Sequence, residues 1–300
     1  MHSTSKGVAL AFLAYILFSC CDACVKALGK SMSIYEIAFF ITVASLSTFG
    51  FSRAESESWR EIFRLKRPGL IFIRAGTGIA AGLLGTYSFI TLPFAEAYSV
   101  LFLMPAFATM LSIPILGEKV GWRRWSAVGI GFAGVLLVVR PGFRELHLGH
   151  LTAAFAAVFS AGGLIALRML GTTEKRISVL GVTYASAILF NAVLMIPTFK
   201  WPRAEDFAVI GVGGVLAGFA QIAMLIATKL APPNRTAPAQ YSQILSAVAL
   251  GAIFFGEYPD AIAIVGMVLV VLSGLITFLR EEQLHGWSAR TLWMRNRSVG

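Results

Sequence analysis

The sequence predicts an all-α integral membrane protein with ten transmembrane helices arranged as two inverted five-helix repeats. Three observations carry that expectation. First, the 300 residues are 57% hydrophobic and 13% charged, with a mean hydropathy of +0.77, whereas soluble domains hold about a quarter charged residues. Second, the apolar segments are continuous for about 20 residues, the length a helix needs to cross hydrocarbon, where barrel strands would be shorter and would alternate. Third, the two halves of the chain align on each other.

In order, the spans fall at 7–28, 35–52, 70–91, 95–116 and 122–140, then at 149–170, 179–199, 207–229, 237–255 and 260–279. The first contains "LFSC" (17–20), which faintly resembles a lipoprotein cleavage site, but the apolar run continues past it to Lys26, so a retained helix is expected. Cys21 and Cys24 have CxxC spacing, with Cys20 beside them. A metal site needs more ligands, and the histidines (His2, His147, His150, His285) are read as lying outside the spans. Packing of small residues is therefore the expected role of the thiols, with no metal, no cofactor and no catalytic residue. The long connection 52–68 mixes Trp59, Ile62, Phe63 and Leu65 with Arg60, Arg64 and Lys66. It suits a helix lying at the membrane interface or a solvated basic loop. Pro105 and Pro114 predict bends in the fourth span. Gly78 and Gly82 in the third span, like Gly214 and Gly218 in the eighth, put small residues on one helix face for close packing.

The formal charge of +10 does not call for nucleic acid, because the basic residues lie in loops. With the N-terminus inside, the inner segments hold sixteen Lys and Arg and the outer loops five: Lys30, Arg140, Arg144, Lys200 and Arg203. That asymmetry predicts a multi-pass protein of a bacterial-type inner membrane with both termini cytoplasmic. The absence of a Gly-rich phosphate cradle followed by Gly-Lys-Ser/Thr excludes an ATP-driven motor.

The repeat is direct. "GVALAFLAYILFSCCDACVKALG" (7–29) aligns without gaps on "GHLTAAFAAVFSAGGLIALRMLG" (149–171), so Lys26 falls on Arg168. "LPFAEAYSVLF" (92–102) falls on "APPNRTAPAQY" (231–241), and Glu118 falls on Glu257, each glutamate following a glycine at the end of an apolar run. The expected units are 1–142, 143–280 and a basic cytoplasmic tail, 281–300. Five spans per half force the second half to enter the membrane from the opposite side. Inverted repeats are a recurring build of secondary transporters.

These residues resemble the drug/metabolite transporter superfamily, in particular its EamA-type ten-helix carriers. The resemblance rests on "VKALGKSMSIYEIAFF" (25–40), "LIFIRAG" (70–76), "LPFAEAYSVLFLMPAFATMLSIPILGEK" (92–119), "GFAGVLLVVRPG" (131–142), "APAQYSQILSAVALGAIFFGE" (237–257) and "GLITFLRE" (274–281). Many members carry an Arg where this chain has Ile41. The resemblance implies two interleaved halves around a cavity opened alternately to each side. It also implies amino acids or related compounds, vitamins or nucleoside-like solutes as substrates.

Ionisable side chains inside a span default to functional candidates. Asp22 and Lys26, at i and i+4, share a helix face and can pair. Lys26 then offers a contact for a substrate carboxylate or phosphate, with Asp22 as its resting partner, or the two form a structural pair. Glu96 and Arg235 follow proline-marked turns at equivalent places in the repeat, and with Arg168 they are candidates for gating or coupling, proton coupling included. Glu96 could equally cap its helix, Arg168 could snorkel, and Arg235 calls for a lipid phosphate or an acidic partner. Tyr15, Tyr87, Tyr98, Phe102, Gln221, Gln240, Tyr241 and Gln243 complete the substrate-binding candidates, since aromatics sandwich a ligand and amides orient it. The expected partners are a small-molecule substrate and the lipid bilayer, and one chain suffices, with a dimer left open. The competing classes are a membrane-embedded enzyme and an assembly protein without transport activity.

Overall fold

A computed structural model describes residues 2–48, 65–118, 120–142, 145–171, 173–231 and 233–275. The connection at 52–68 falls almost wholly outside these residues, as does the tail 281–300. Among the described residues, twelve α-helices build the ten spans. The first half contains α1 (His2–Leu28), α2 (Ile34–Ser45), α3 (Pro68–Thr91), α4 (Phe94–Leu101), α5 (Met104–Leu116) and α6 (Trp122–Val139). The second contains α7 (Leu148–Leu170), α8 (Arg176–Met195), α9 (Ala204–Leu230), α10 (Pro233–Thr236), α11 (Ser242–Leu250) and α12 (Ala261–Leu275). Seven runs among the described residues are long and apolar enough to cross a membrane, and the shorter Ile34–Thr48, Arg124–Val139 and Ala261–Leu275 complete the set. Phe72, Leu189, Ile196, Leu245, Ile253 and Phe254 are exposed, as side chains facing lipid would be.

Local chemistry sets the ends. Ser33 caps α2 in a capping box with Glu36. Pro68 opens α3 where its missing N–H is harmless. The fourth span breaks between α4 and α5 at Phe102 and Leu103, because Pro105 has no N–H to continue the ladder. The ninth span, Pro238–Phe255, is irregular too, opening as a 3-10 turn at Ala237–Tyr241 and closing as a π turn at Gly251–Phe255.

The two Gly-Glu marks have one geometry. Gly117 (φ 68°, ψ 21°) and Gly256 (φ 67°, ψ 25°) both take the left-handed conformation. The N–H of the following glutamate then bonds six residues back, Glu118 to the Ser112 carbonyl (3.3 Å) and Glu257 to that of Gly251 (2.9 Å). These closures wrap one residue further back than a Schellman motif, and a Cβ would be strained at either left-handed glycine.

Packing crosses the repeat boundary. α1 lies on α9 and α3 on α7, equivalent pairs under the inverted repeat. Gly214 and Gly218 of α9 let α2 approach: a methyl group on Gly218 would stand 1.8 Å from Thr48 Oγ1. Gly82 differs from the packing expectation, since nothing lies within 4 Å of where its Cβ would be. Cys21 is buried with Val25, Leu28, Ile37 and Ile210, and all three thiols are free, consistent with packing. The main core gathers Phe89, Phe94, Tyr98, Phe102, Val138, Tyr241 and Ile244 from both halves.

Candidate substrate cavity

A cavity of about 360 Å³ lies among α1, α3, α4, α7 and the irregular ninth span, within the size range of small-molecule sites. Its wall includes Asp22, Gly82, Gly85, Thr86, Phe89, Tyr98, Phe102, Ser160, Gln240 and Gln243. Gln240 and Gln243, three residues apart, share the inward face of this span. The break after Leu101 brings Phe102 and Met104 onto the same wall.

Asp22 is the polar centre. Tyr98 Oη donates to its Oδ2 at 2.5 Å, Ser19 Oγ lies 3.4 Å from the same hydroxyl, and Gln243 Nε2 approaches it to 3.5 Å. Rings extend from this point. Phe89 and Tyr98 have centroids 5.0 Å apart, Tyr98 and Phe102 6.3 Å, and Phe102 stacks on Tyr241 at 5.2 Å. A carboxylate beside aromatic faces suits a cationic or partly aromatic solute.

Lys26 does not pair with Asp22. Its Nζ donates to the carbonyl oxygens of Phe89 (3.0 Å) and Leu92 (2.5 Å) and meets Glu257 Oε1 at 2.9 Å, over the Phe255 ring. The reason is the end of α3. Its last carbonyls lack intrahelical partners and carry the negative end of the macrodipole, so they compete for the ammonium. Glu257 Oε2 meanwhile accepts the Phe94 N–H at the start of α4 (2.6 Å). One largely buried ion pair thus satisfies both sides of the α3–α4 turn. We call this the Leu28 end of the bundle.

The same end holds other polar ties. Glu96 stands in the first turn of α4, where the macrodipole favours it, but it also meets His150 Nε2 at 2.9 Å, and both are buried. The expectation that every histidine lies outside the spans is therefore corrected: His150 sits in the first turn of α7. Arg140 pairs with Asp260, and Glu36 accepts the Lys200 N–H at 2.6 Å.

At the opposite, Leu116 end, Arg168 Nη1 is 3.8 Å from Glu118 Oε1, and Arg124 approaches the same carboxylate to 3.6 Å. These are the repeat mates of Lys26 and Glu257. Each of the two glutamates thus closes its helix and also receives a basic side chain from the other half. Arg235 is exposed, and no acidic side chain pairs with it among the described residues.

Of the substrate candidates, Asp22, Tyr98, Phe102, Gln240 and Gln243 line the cavity. Tyr241 packs behind Phe102, Tyr15 lies in a small cluster with Ala11, Ala227 and Ala239, and Tyr87 borders a separate, largely apolar groove. Gln221 on α9 is half-buried and outside the wall, and Lys26 lies in the ion pair at the Leu28 end. The sequence reading missed Thr86, Ser160 and Phe89. Ser160 lies at i+10 from His150, but nothing in an evenly apolar helix shows which face turns inward.

The EamA-like transporter family model matches this chain twice, over residues 5–140 and 147–279. The chain belongs to the EamA-like transporter family. It is a multi-pass membrane transporter built as two inverted repeats. It is similar to an S-adenosylmethionine uptake transporter of Rickettsia prowazekii (strain Madrid E), 24% identical over 93% of this chain and 94% of the relative. It is also similar to the pseudopaline exporter CntI of Pseudomonas aeruginosa (strain UCBPP-PA14), 25% identical over 89% and 94%. A riboflavin transporter of Vibrio cholerae serotype O1 (strain ATCC 39315 / El Tor Inaba N16961) is 25% identical over 80% and 78%. A protein crystal structure superposes with a TM-score of 0.66 at 19% identity, covering 93% of this chain and 99% of that one, which shows the fold.

Proposed function

We propose that this EamA-family chain is a secondary carrier of small metabolites in a bacterial-type inner membrane, with both termini cytoplasmic, working by alternating access. The observation that carries the reading is the central cavity. Residues of both halves form it, Asp22, Tyr98 and Phe102 from one and Ser160, Gln240 and Gln243 from the other. A site shared between inverted halves can open to either face by rocking one half against the other. The excess of Lys and Arg in the inner segments supports the orientation. In that orientation the Leu28 end is extracytoplasmic and its buried ion pair is the outer closure. Relatives of similar length handle S-adenosylmethionine, pseudopaline and riboflavin, so the substrates proposed are metabolites of that size with amino-acid or heteroaromatic parts.

The test is uptake into proteoliposomes of a labelled panel containing S-adenosylmethionine, riboflavin and amino acids, with and without a pH gradient. We expect saturable uptake of at least one solute above protein-free vesicles, and its loss in Asp22→Asn with normal folding. Failure of the wild-type chain to move any panel member sinks the reading. A flux that ignores the pH gradient removes proton coupling alone.

A further inference from the structure

Arg74 lies inside α3, where a guanidinium is expensive unless something meets it. It is partly buried, and among the described residues no hydrogen-bond or ion-pair partner meets its guanidinium. The usual escape for such a side chain is to snorkel to the near interface, here toward Pro68, the direction in which helical side chains naturally lean. Arg74 does the opposite. Its Nη1 lies 2.9 Å from where a Cβ on Gly78 would be, one turn further into the span. From α7, a Cβ on Gly163 would stand 3.4 Å from Nη1 and 3.7 Å from Cδ. The guanidinium thus occupies a notch between two glycines, and any larger residue at Gly78 would crowd it.

The notch adjoins the cavity. Ala81 on α3 and Ser160 on α7 both line the wall, and each is three residues from its notch glycine, about 4.5 Å along the axis. Arg74, Ala81 and Gly85 also fall on one stripe of α3, since seven and eleven residues return close to the same helical angle. The charged residue of the wall itself is Asp22, held by the Tyr98 hydroxyl and without an ion-pair partner among the described residues. An unpaired carboxylate on the cavity wall and an unpaired guanidinium about one helical turn beyond that wall therefore lie at one small cavity.

We propose that Arg74 is the anion-recognising residue of the carrier, and that the substrates are zwitterions which present a carboxylate to Arg74 and a cationic group to Asp22. Arginine fits this role because its planar fork meets a carboxylate with two parallel hydrogen bonds. The spacing narrows the class. Arg74 stands about a turn beyond Ala81, outside the wall that holds Asp22, so a solute that meets both is elongated, with its charges separated by several atoms and an apolar or ring portion against Phe89 and Tyr98. The inference rests on the carrier reading above and adds the contact that reading lacks.

The test uses two probes that differ only in the carboxylate, S-adenosylmethionine and its decarboxylated form, binding to the full chain in nanodiscs. The wild-type chain is expected to prefer the carboxylated probe by about tenfold or more. Arg74→Gln is expected to erase that preference while binding the decarboxylated probe within about twofold of wild type. Arg74→Lys keeps a charge without the fork and is expected to retain only part of the preference. It carries the test alone should Arg74→Gln not reach the membrane. The proposal is overturned if the wild-type chain binds neither probe or shows no preference, if the preference survives the substitution, or if both probes weaken equally. The carrier reading fails separately, only if wild-type vesicles take up no solute of the wider panel.

Discussion

At the Leu28 end, Lys26 and Glu257 are 2.9 Å apart, with side chains 9% and 25% exposed. At the Leu116 end, their repeat mates Arg168 and Glu118 are 3.8 Å apart and 42% and 37% exposed. A second pair of ties differs in the same way. Glu36 is 1% exposed where it accepts the Lys200 N–H, whereas Glu174 accepts the backbone N–H groups of Lys66 and Arg67 in the open. The inverted repeat puts a basic side chain and a glutamate at both ends, but the Leu28 pair is closer, more buried and tied to the backbone around it. Removing one partner of a buried ion pair costs about 3–5 kcal/mol, while an exposed pair contributes about 0–1 kcal/mol. In the proposed cycle the two ends exchange these environments, and in the described conformation the Leu28 end holds the closer and more buried pair.

The hardest test of the comparison is Lys26→Ala, which strands Glu257 and two α3 carbonyls. We expect a loss of about 3–5 kcal/mol at that end, read as a clear fall in melting temperature in detergent and a collapse of uptake. An unchanged melting temperature would break the claim that this end carries the closure. Glu257→Gln removes the charge but keeps an acceptor for the Phe94 N–H. A smaller loss of about 1.5–3 kcal/mol is expected from the same measurement, and a loss equal to that of Lys26→Ala would shift the weight from the N–H to the charge. Between the ends, Tyr98→Phe removes the hydroxyl that binds Asp22. It should cost about 1 kcal/mol of stability, with a stronger effect on substrate affinity, separable by titrating one of the transported solutes. Glu118→Gln should be the mildest, below about 1 kcal/mol, and should fade further when salt is raised to about 1 M. A large, salt-independent effect would show that the Leu116 end is as tightly held as its mate.

The spans and the repeat were legible because continuous apolar runs and matched glycines need no tertiary information. Gly117 and Gly256 are an instance: a sequence mark became one backbone geometry in both halves. The site was legible only by residue type. Helical spacing put Asp22 and Lys26 on a common face, but it could not show that the α3 carbonyls and Glu257 claim the ammonium while Tyr98 claims the carboxylate. Tyr15, Tyr87 and Gln221 had the right chemistry, yet a helix apolar all round does not announce its inward face. Arg74 stood in the stretch "LIFIRAG" near the end of its span. That it turns into the bundle rather than toward the interface depends on Gly78 and on Gly163 of another helix.

The interruption of the fourth span leaves something that mutagenesis of side chains will not reach. Pro105 has no N–H to offer the carbonyl four residues earlier, and that carbonyl belongs to Leu101, a residue of the cavity wall. The Leu101 carbonyl thus loses its ladder donor at Pro105, whatever side chain stands at 101. An alanine scan of the wall would leave this acceptor in place. Only replacing the proline would return an N–H to the ladder, so Pro105→Ala probes specificity from a position that is not itself part of the cavity wall.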